Sequence, residues 1–229
     1  MRALHSRPFS ATLTPEDLRF LRTVADDTED APWMVMNDRQ WRDASALFWS
    51  LQIYAQNHPV SWYPGGMLPL TYLLPGESHL RQVAPDVFAS TVPVQERDSL
   101  RVDEEGMPPF VLEAVSKTSV RRDLEDKERI YRALGAQEYA IVRLDLAEAR
   151  LEGYRRSATG TWEAWEPDAQ GQLWSEVLEL GLVMRGREVR AVTREGELLR
   201  TPPEAEAEIA RLRAALERLT RGDDQTSRE

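Results

Sequence analysis

Asp86, Glu113 and Lys127 are the side chains whose types and settings allow them to do chemistry together. Glu113 interrupts Phe110-Val111-Leu112-Glu113-Ala114-Val115, an apolar run of the length of a strand buried on both faces of a sheet. An ionised carboxylate there is costly unless it meets a cation, a metal or hydrogen-bond donors. Asp86 follows Pro85 at the start of another short strand, Pro85 to Ala89. The chain has 29 basic residues, of which two are lysines, Lys117 and Lys127, both shortly after Glu113. Lysine is a compact ammonium whose proton affinity moves with its surroundings, whereas arginine stays charged, so the two are not interchangeable where proton chemistry is needed. Two carboxylates from neighbouring strands can hold one Mg²⁺, or Mn²⁺, through oxygen and leave water in the remaining positions. Such an ion neutralises a phosphate and acidifies its bound water, while a nearby ammonium orients the nucleophile or stabilises the transition state. The chemistry these residues suggest is metal-assisted phosphodiester hydrolysis.

The elements that must position them follow from patterning. After an irregular arm over residues 1–13, Thr14-Pro15-Glu16-Asp17 reads as an N-cap, a first-turn proline and two acids opening a helix. A second helix is expected from Asp38 to Gln56 on the apolar spacing from Trp41 to Tyr54. Short extended segments then run from Val60 to Tyr63 and from Met67 to Leu74, around Pro64-Gly65-Gly66. Gln95 to Gly106 reads as a surface loop. Beyond the Glu113 strand, a helix is expected from Arg121 to Leu134, stopping at Gly135. Its inward stripe reads Leu124, Lys127, Tyr131 and Leu134, so Lys127 stands where the period asks for an apolar residue. Either its stem packs while its head reaches water or pairs with Asp123 one turn earlier, or the helix aims the ammonium at Glu113.

Glu138 to Leu144 completes a strand-helix-strand unit with parallel strands. Strands near 149–155 and 161–165 and a hairpin at 180–184 and 188–192 follow. A charged helix over 203–220 carries Ile209, Leu212, Leu216 and Leu219, spaced for docking on the body or a partner. Residues 221–229 read as a disordered tail. The expectation is one α/β domain over 1–200, with N-terminal helices at 14–57, a catalytic core at 60–145 and β-hairpins at 149–200.

Composition narrows the function classes. A net charge of -10 argues against a protein that coats nucleic acid through a broad basic surface, and leaves room for a local patch. With no cysteine, neither disulfides nor thiolate zinc sites contribute. His5, His58 and His79 show no ligand spacing, which disfavours a histidine-based zinc hydrolase. No apolar run is long enough to span a membrane, and the start of the chain has no signal-peptide character, so a cytoplasmic protein is expected.

Pro85-Asp86-Val87, Val111 to Ser116, Arg122 to Lys127, Tyr131, Gly135 and Glu138 to Val142 together resemble the Uma-two family of restriction-endonuclease-like proteins, within the PD-(D/E)XK nuclease superfamily. The resemblance implies a mixed central β-sheet flanked by helices, with an added β-hairpin region and a C-terminal helix. It implies that Asp86 and Glu113 bind Mg²⁺ together with the Ala114 carbonyl, and that Lys127 takes the catalytic role of the superfamily's usual lysine, whose position holds Val115. Lys117 becomes a phosphate contact or a second candidate for the catalytic ammonium, and Arg121 and Arg122 become contacts to the nucleic acid backbone. The implied activity is DNA endonuclease, with a homodimer suited to cutting two strands. The stretch Trp33 to Gln40 departs from the family in lacking its usual Glu and His. That departure sustains an alternative, a nuclease-like scaffold without turnover that acts through oligomerisation.

Overall fold

The computed structural model describes residues 13–26, 38–117 and 120–226. The expected arm as far as residue 12 and the Trp33–Asn37 part of the departing stretch lie outside them. Helix α1 (Pro15–Thr23) opens as its sequence dictates: Thr14 accepts the Asp17 N–H, and Asp17 reciprocates on the Thr14 N–H, a complete capping box. Helix α2 spans Asp38–Asn57.

Six strands form the central sheet in the order β1 (Tyr63–Gly65), β4 (Val87–Ser90), β6 (Phe110–Val115), β7 (Glu138–Arg143), β8 (Arg150–Arg156) and β9 (Trp162–Ala164). β6 and β7 are parallel and the other neighbours antiparallel, so the sheet is mixed as expected. Two small sheets flank it. One holds β2 (Leu70–Leu73) between β3 (Leu80–Val83) and β5 (Leu100–Arg101), and the other runs β10 (Leu173–Ser175), β11 (Leu180–Arg185), β12 (Glu188–Val192).

Alternation along the central strands sorts the core into two layers. Phe110, Leu112 and Ala114 of β6, with Ala140 and Val142 of β7, face α2 and the β10–β12 sheet. Val111 and Val115, with Tyr139 and Ile141, face α1, the β2 sheet and the crossover helix. Glu113 belongs to the second face by parity, so its carboxyl enters the layer beneath that helix.

The crossover helix is not uniform. Arg122–Lys127 form a π-helical turn that continues into α4 (Glu128–Leu134), capped by Gly135 in the left-handed conformation at φ 104°. The π turn alters the expected stripe: Asp123, Lys127, Tyr131 and Leu134 are buried, while Leu124 is half-buried. The 95–106 segment departs from a loop as well, because Leu100 and Val102 are buried in β5 and the short α3 (Val102–Glu105). Helix α5 runs Pro202–Thr226, past the expected end at 220. Among the described residues, no helix is long and apolar enough to cross a membrane.

Candidate active site

The antiparallel pairing of Val87 with Leu112 sets Asp86 across from Glu113. Asp86 Oδ2 accepts the Ala114 N–H at 2.6 Å, and the Asp86 and Glu113 carboxyl groups are near enough to influence each other's charge. Lys127 comes from the other side. Its Nζ lies 3.0 Å from Glu113 Oε1, 3.6 Å from Asp123 Oδ1, and donates to the Ala84 carbonyl at 3.0 Å. Tyr131, one turn further along, donates its hydroxyl to Glu113 Oε1 at 2.5 Å. The three residues singled out in the sequence therefore meet, and Lys127 also pairs with Asp123 one turn earlier, so both arrangements open to it are realised in part.

The whole group is withdrawn from water: Asp86 is 8% exposed, Glu113 1%, Lys127 6% and Asp123 4%. Burial pushes Asp86 up to about 6, against the opposing pull of Lys127. Burial raises Glu113 well above the ordinary carboxylate range; Lys127 and Tyr131 oppose that rise, and the nearby Asp86 and Asp123 add to it. Three carboxyl groups thus face one ammonium. Such a surplus of buried acid fits a divalent cation, which supplies the missing positive charge and needs no proton on either acid. The donor set suited to it is hard oxygen: Asp86, Glu113 and the main chain at Ala114. Among the described residues, no group of three or more His, Cys, Asp or Glu is arranged to hold a metal, so such an ion would rest on two carboxylates, main-chain oxygen and water.

Two contributors went unassigned in the sequence. Asp123 was visible there only as a neighbour of Lys127, and Tyr131 only as an apolar stripe position. The Asp123-Lys127-Tyr131 spacing of four and four is the signal that marks them, because residues four apart lie on one side of a helix. Tyr139 secures the turn by donating to the Asp123 carbonyl at 2.7 Å. The expected nucleic acid contacts are scattered. Lys117 is exposed just past β6; Arg121 is exposed and lies 3.6 Å from Glu125; Arg122 is buried, 3.6 Å from Asp126.

A mixed sheet whose adjacent strands offer an Asp and a Glu to a lysine on the crossover helix defines a restriction-endonuclease-like protein. The chain belongs to the Uma2 (Uma-two) family, described as "Putative restriction endonuclease", which matches residues 33–187, more than half of its length. No curated protein matches the chain.

Proposed function

We propose that the protein is a metal-dependent endonuclease that hydrolyses phosphodiester bonds in DNA. The observation that carries this reading is the meeting of Asp86, Glu113 and Lys127 in one buried cluster with more acid than base. Asp86, Glu113 and the Ala114 carbonyl would hold Mg²⁺ or Mn²⁺, which when bound supplies charge neutralisation at the phosphate and an acidified water. The residues themselves do the rest. Tyr131 fixes the Glu113 carboxylate through its hydroxyl, and the Ala114 N–H fixes Asp86. Lys127 carries the positive charge that orients an attacking water and offsets charge developing on the phosphoryl oxygens. Asp123 holds the ammonium from its far side. Lys117, at the open end of β6, remains the second candidate cation and a contact to the phosphate backbone, with Arg121 beside it on the π turn's approach.

One observation favours the alternative of a scaffold without turnover. Lys127 already sits on Glu113 Oε1, and in a protein without turnover that ammonium, with a proton kept on one acid of the pair, would take the place of a metal ion. Calorimetric titration separates the readings: the enzyme binds Mg²⁺ or Mn²⁺, and Asp86→Ala or Glu113→Ala abolishes the signal. Plasmid cleavage with Mn²⁺ is then expected to fail in Lys127→Ala and to persist in Lys117→Ala. Absence of metal binding in the intact protein would establish the scaffold.

The reading includes a homodimer in the cytoplasm. Ile209 and Leu212 on α5 are about half exposed, and together with Ile53 and Tyr54 of α2 they line a groove of ≈ 610 Å³. Light scattering is expected to report a dimer that Leu212→Glu dissociates.

A further inference from the structure

The end of the sheet that carries Glu113 also carries a row of cations. Val115 pairs with Arg143 across β6 and β7, and Arg143 pairs with Arg150 across β7 and β8. Directly paired residues project to the same face, so this row lies on the Glu113 side of the sheet. At a strand spacing of about 4.8 Å, Arg150 begins about 10 Å from the site strand. Two arginines directly opposite each other in an antiparallel pair repel, and nothing in the fold requires both. Arg143 is accounted for: it clasps Asp145 through two bonds of 2.8 Å and lies 3.5 Å from Glu152. Arg150 is exposed and makes no ion pair among the described residues.

Beyond Arg150 the strand is open. β9 pairs only with Tyr154, Arg155 and Arg156, which leaves the edge of β8 from Arg150 to Glu152 uncovered among the described residues. That edge lines a groove of ≈ 460 Å³ together with the end of β11, Arg185 included, and with Gln170 and Gln172. The hairpin that carries Arg185 is tied to the site end of the sheet, because Arg187 donates to the Leu144 carbonyl at 2.9 Å. Arg185 is exposed, and Glu188, its cross-strand partner, lies 3.9 Å from Arg190 instead. Within the groove the acid Glu152 is turned to Arg143, so the two cations that face open space are Arg150 and Arg185.

We infer that this groove binds the phosphodiester backbone of a nucleic acid strand flanking the bond held at Asp86 and Glu113, with Arg150 and Arg185 as phosphate contacts. The inference rests on the endonuclease reading for its ligand and, for its continuity with the site, on the groove lying at the end of the sheet that carries Val115, Arg143 and Arg150, although its β11 wall belongs to the face opposite Glu113. On a chain of net charge -10, two exposed arginines at the site end of the sheet provide local attraction where the molecule as a whole repels a polyanion. Contacts of this kind set the register of the strand without reading its sequence.

The test is binding of a labelled single strand and its duplex, with Ca²⁺ replacing Mg²⁺ to hold back cleavage, at a series of salt concentrations. Arg150→Gln and Arg185→Gln are each expected to lower the slope of log K against log salt by ~0.7–0.9, and the double variant by the sum. Arg155→Gln, at the opposite end of the same strand, serves as the control and leaves the slope unchanged. Equal slopes in wild type and both groove variants, an equal drop in the control, or no binding by the intact protein would each overturn the inference. Parallel cleavage assays keep the two proposals apart. Cleavage that needs Glu113 but with slopes indifferent to Arg150 and Arg185 removes the groove and keeps the nuclease. Slopes that respond without any cleavage keep the groove and remove the nuclease.

Discussion

Asp86 and Glu113 are held in the folded chain under conditions that favour their protonated forms, and this has a measurable sign. In the unfolded chain Asp86 loses its proton near 3.8; in the folded, metal-free protein it does so near 6. As pH rises from about 4 to about 6 the unfolded state releases this proton first, so stability falls across that window and stays lower above it. The change from Asp86 alone is of the order of 3 kcal/mol, and Glu113 adds in the same direction. Glu204 has the opposite sign but acts elsewhere. Its bond to Arg190 holds it near 2, and its contribution is lost only as pH falls from about 4.5 towards 2. Calorimetric melting of the metal-free protein is therefore expected to show a falling midpoint between about pH 4 and 6, and Asp86→Asn to flatten it. Saturating Mg²⁺ is expected to raise the midpoint more at pH 7 than at pH 5, since the ion competes with the protons. Tyr131 supplies the companion prediction. Its hydroxyl favours ionised Glu113, so Tyr131→Phe is expected to weaken Mg²⁺ binding at pH 7 by about 10- to 100-fold, the usual loss when a partner of a metal ligand is removed. Unchanged calorimetric affinity in this variant would show that the hydroxyl only packs.

The π turn is the element on which this arrangement depends. A plain α-helix over 121–134 places Leu124, Lys127, Tyr131 and Leu134 on one stripe, and that was the stripe legible in the sequence. The wider turn buries Asp123 and leaves Leu124 half-buried, and Asp123, one turn before Lys127, gives the ammonium a second carboxylate. Periodicity could not reveal this, because an apolar count at helical spacing is satisfied either way and the choice is made by Tyr139 and the buried charges beneath the helix. The other parts of the site were legible for a simple reason: a carboxylate within Phe110–Val115 and a lysine within an apolar stripe each violate burial rules locally. The helix yields its own prediction. Asp123→Ala removes the second carboxylate from Lys127 while leaving its contact with Glu113. This variant is expected to keep its circular dichroism and to lose cleavage in the plasmid assay. Full activity would show that Lys127 needs no partner beyond Glu113.

The molecule is held together by polar ties that local sequence could not announce. Glu138 opens β7 at the end of the sheet opposite the acid cluster, paired with Phe110, while Arg143 pairs with Val115 at the site end. Its carboxyl accepts Ser175 Oγ at 2.5 Å and the Glu176 N–H at 2.8 Å, which binds the β10–β12 sheet to the central one. Ser175 Oγ in turn accepts the Leu178 N–H at 2.9 Å. Arg190 does the same for α5, gripping Glu204 and the Leu199 carbonyl at 2.7 Å while Glu204 caps the Thr201 N–H. Strand patterning showed that Glu138 begins a strand and that a hairpin closes the domain; which distant hydroxyl meets which buried acid depends on tertiary contacts that carry no spacing rule. Ser175→Ala breaks one such tie at both ends. It leaves the Glu138 oxygen and the Leu178 N–H without their partner in a buried setting, a loss of about 1–3 kcal/mol. Urea unfolding is expected to show that loss as a lower midpoint with an unchanged slope. Because this tie lies at the far end of β7 from Glu113, Mg²⁺ affinity in Ser175→Ala is expected to match wild type. A parallel fall in metal affinity would mean that the two ends of the central sheet are coupled.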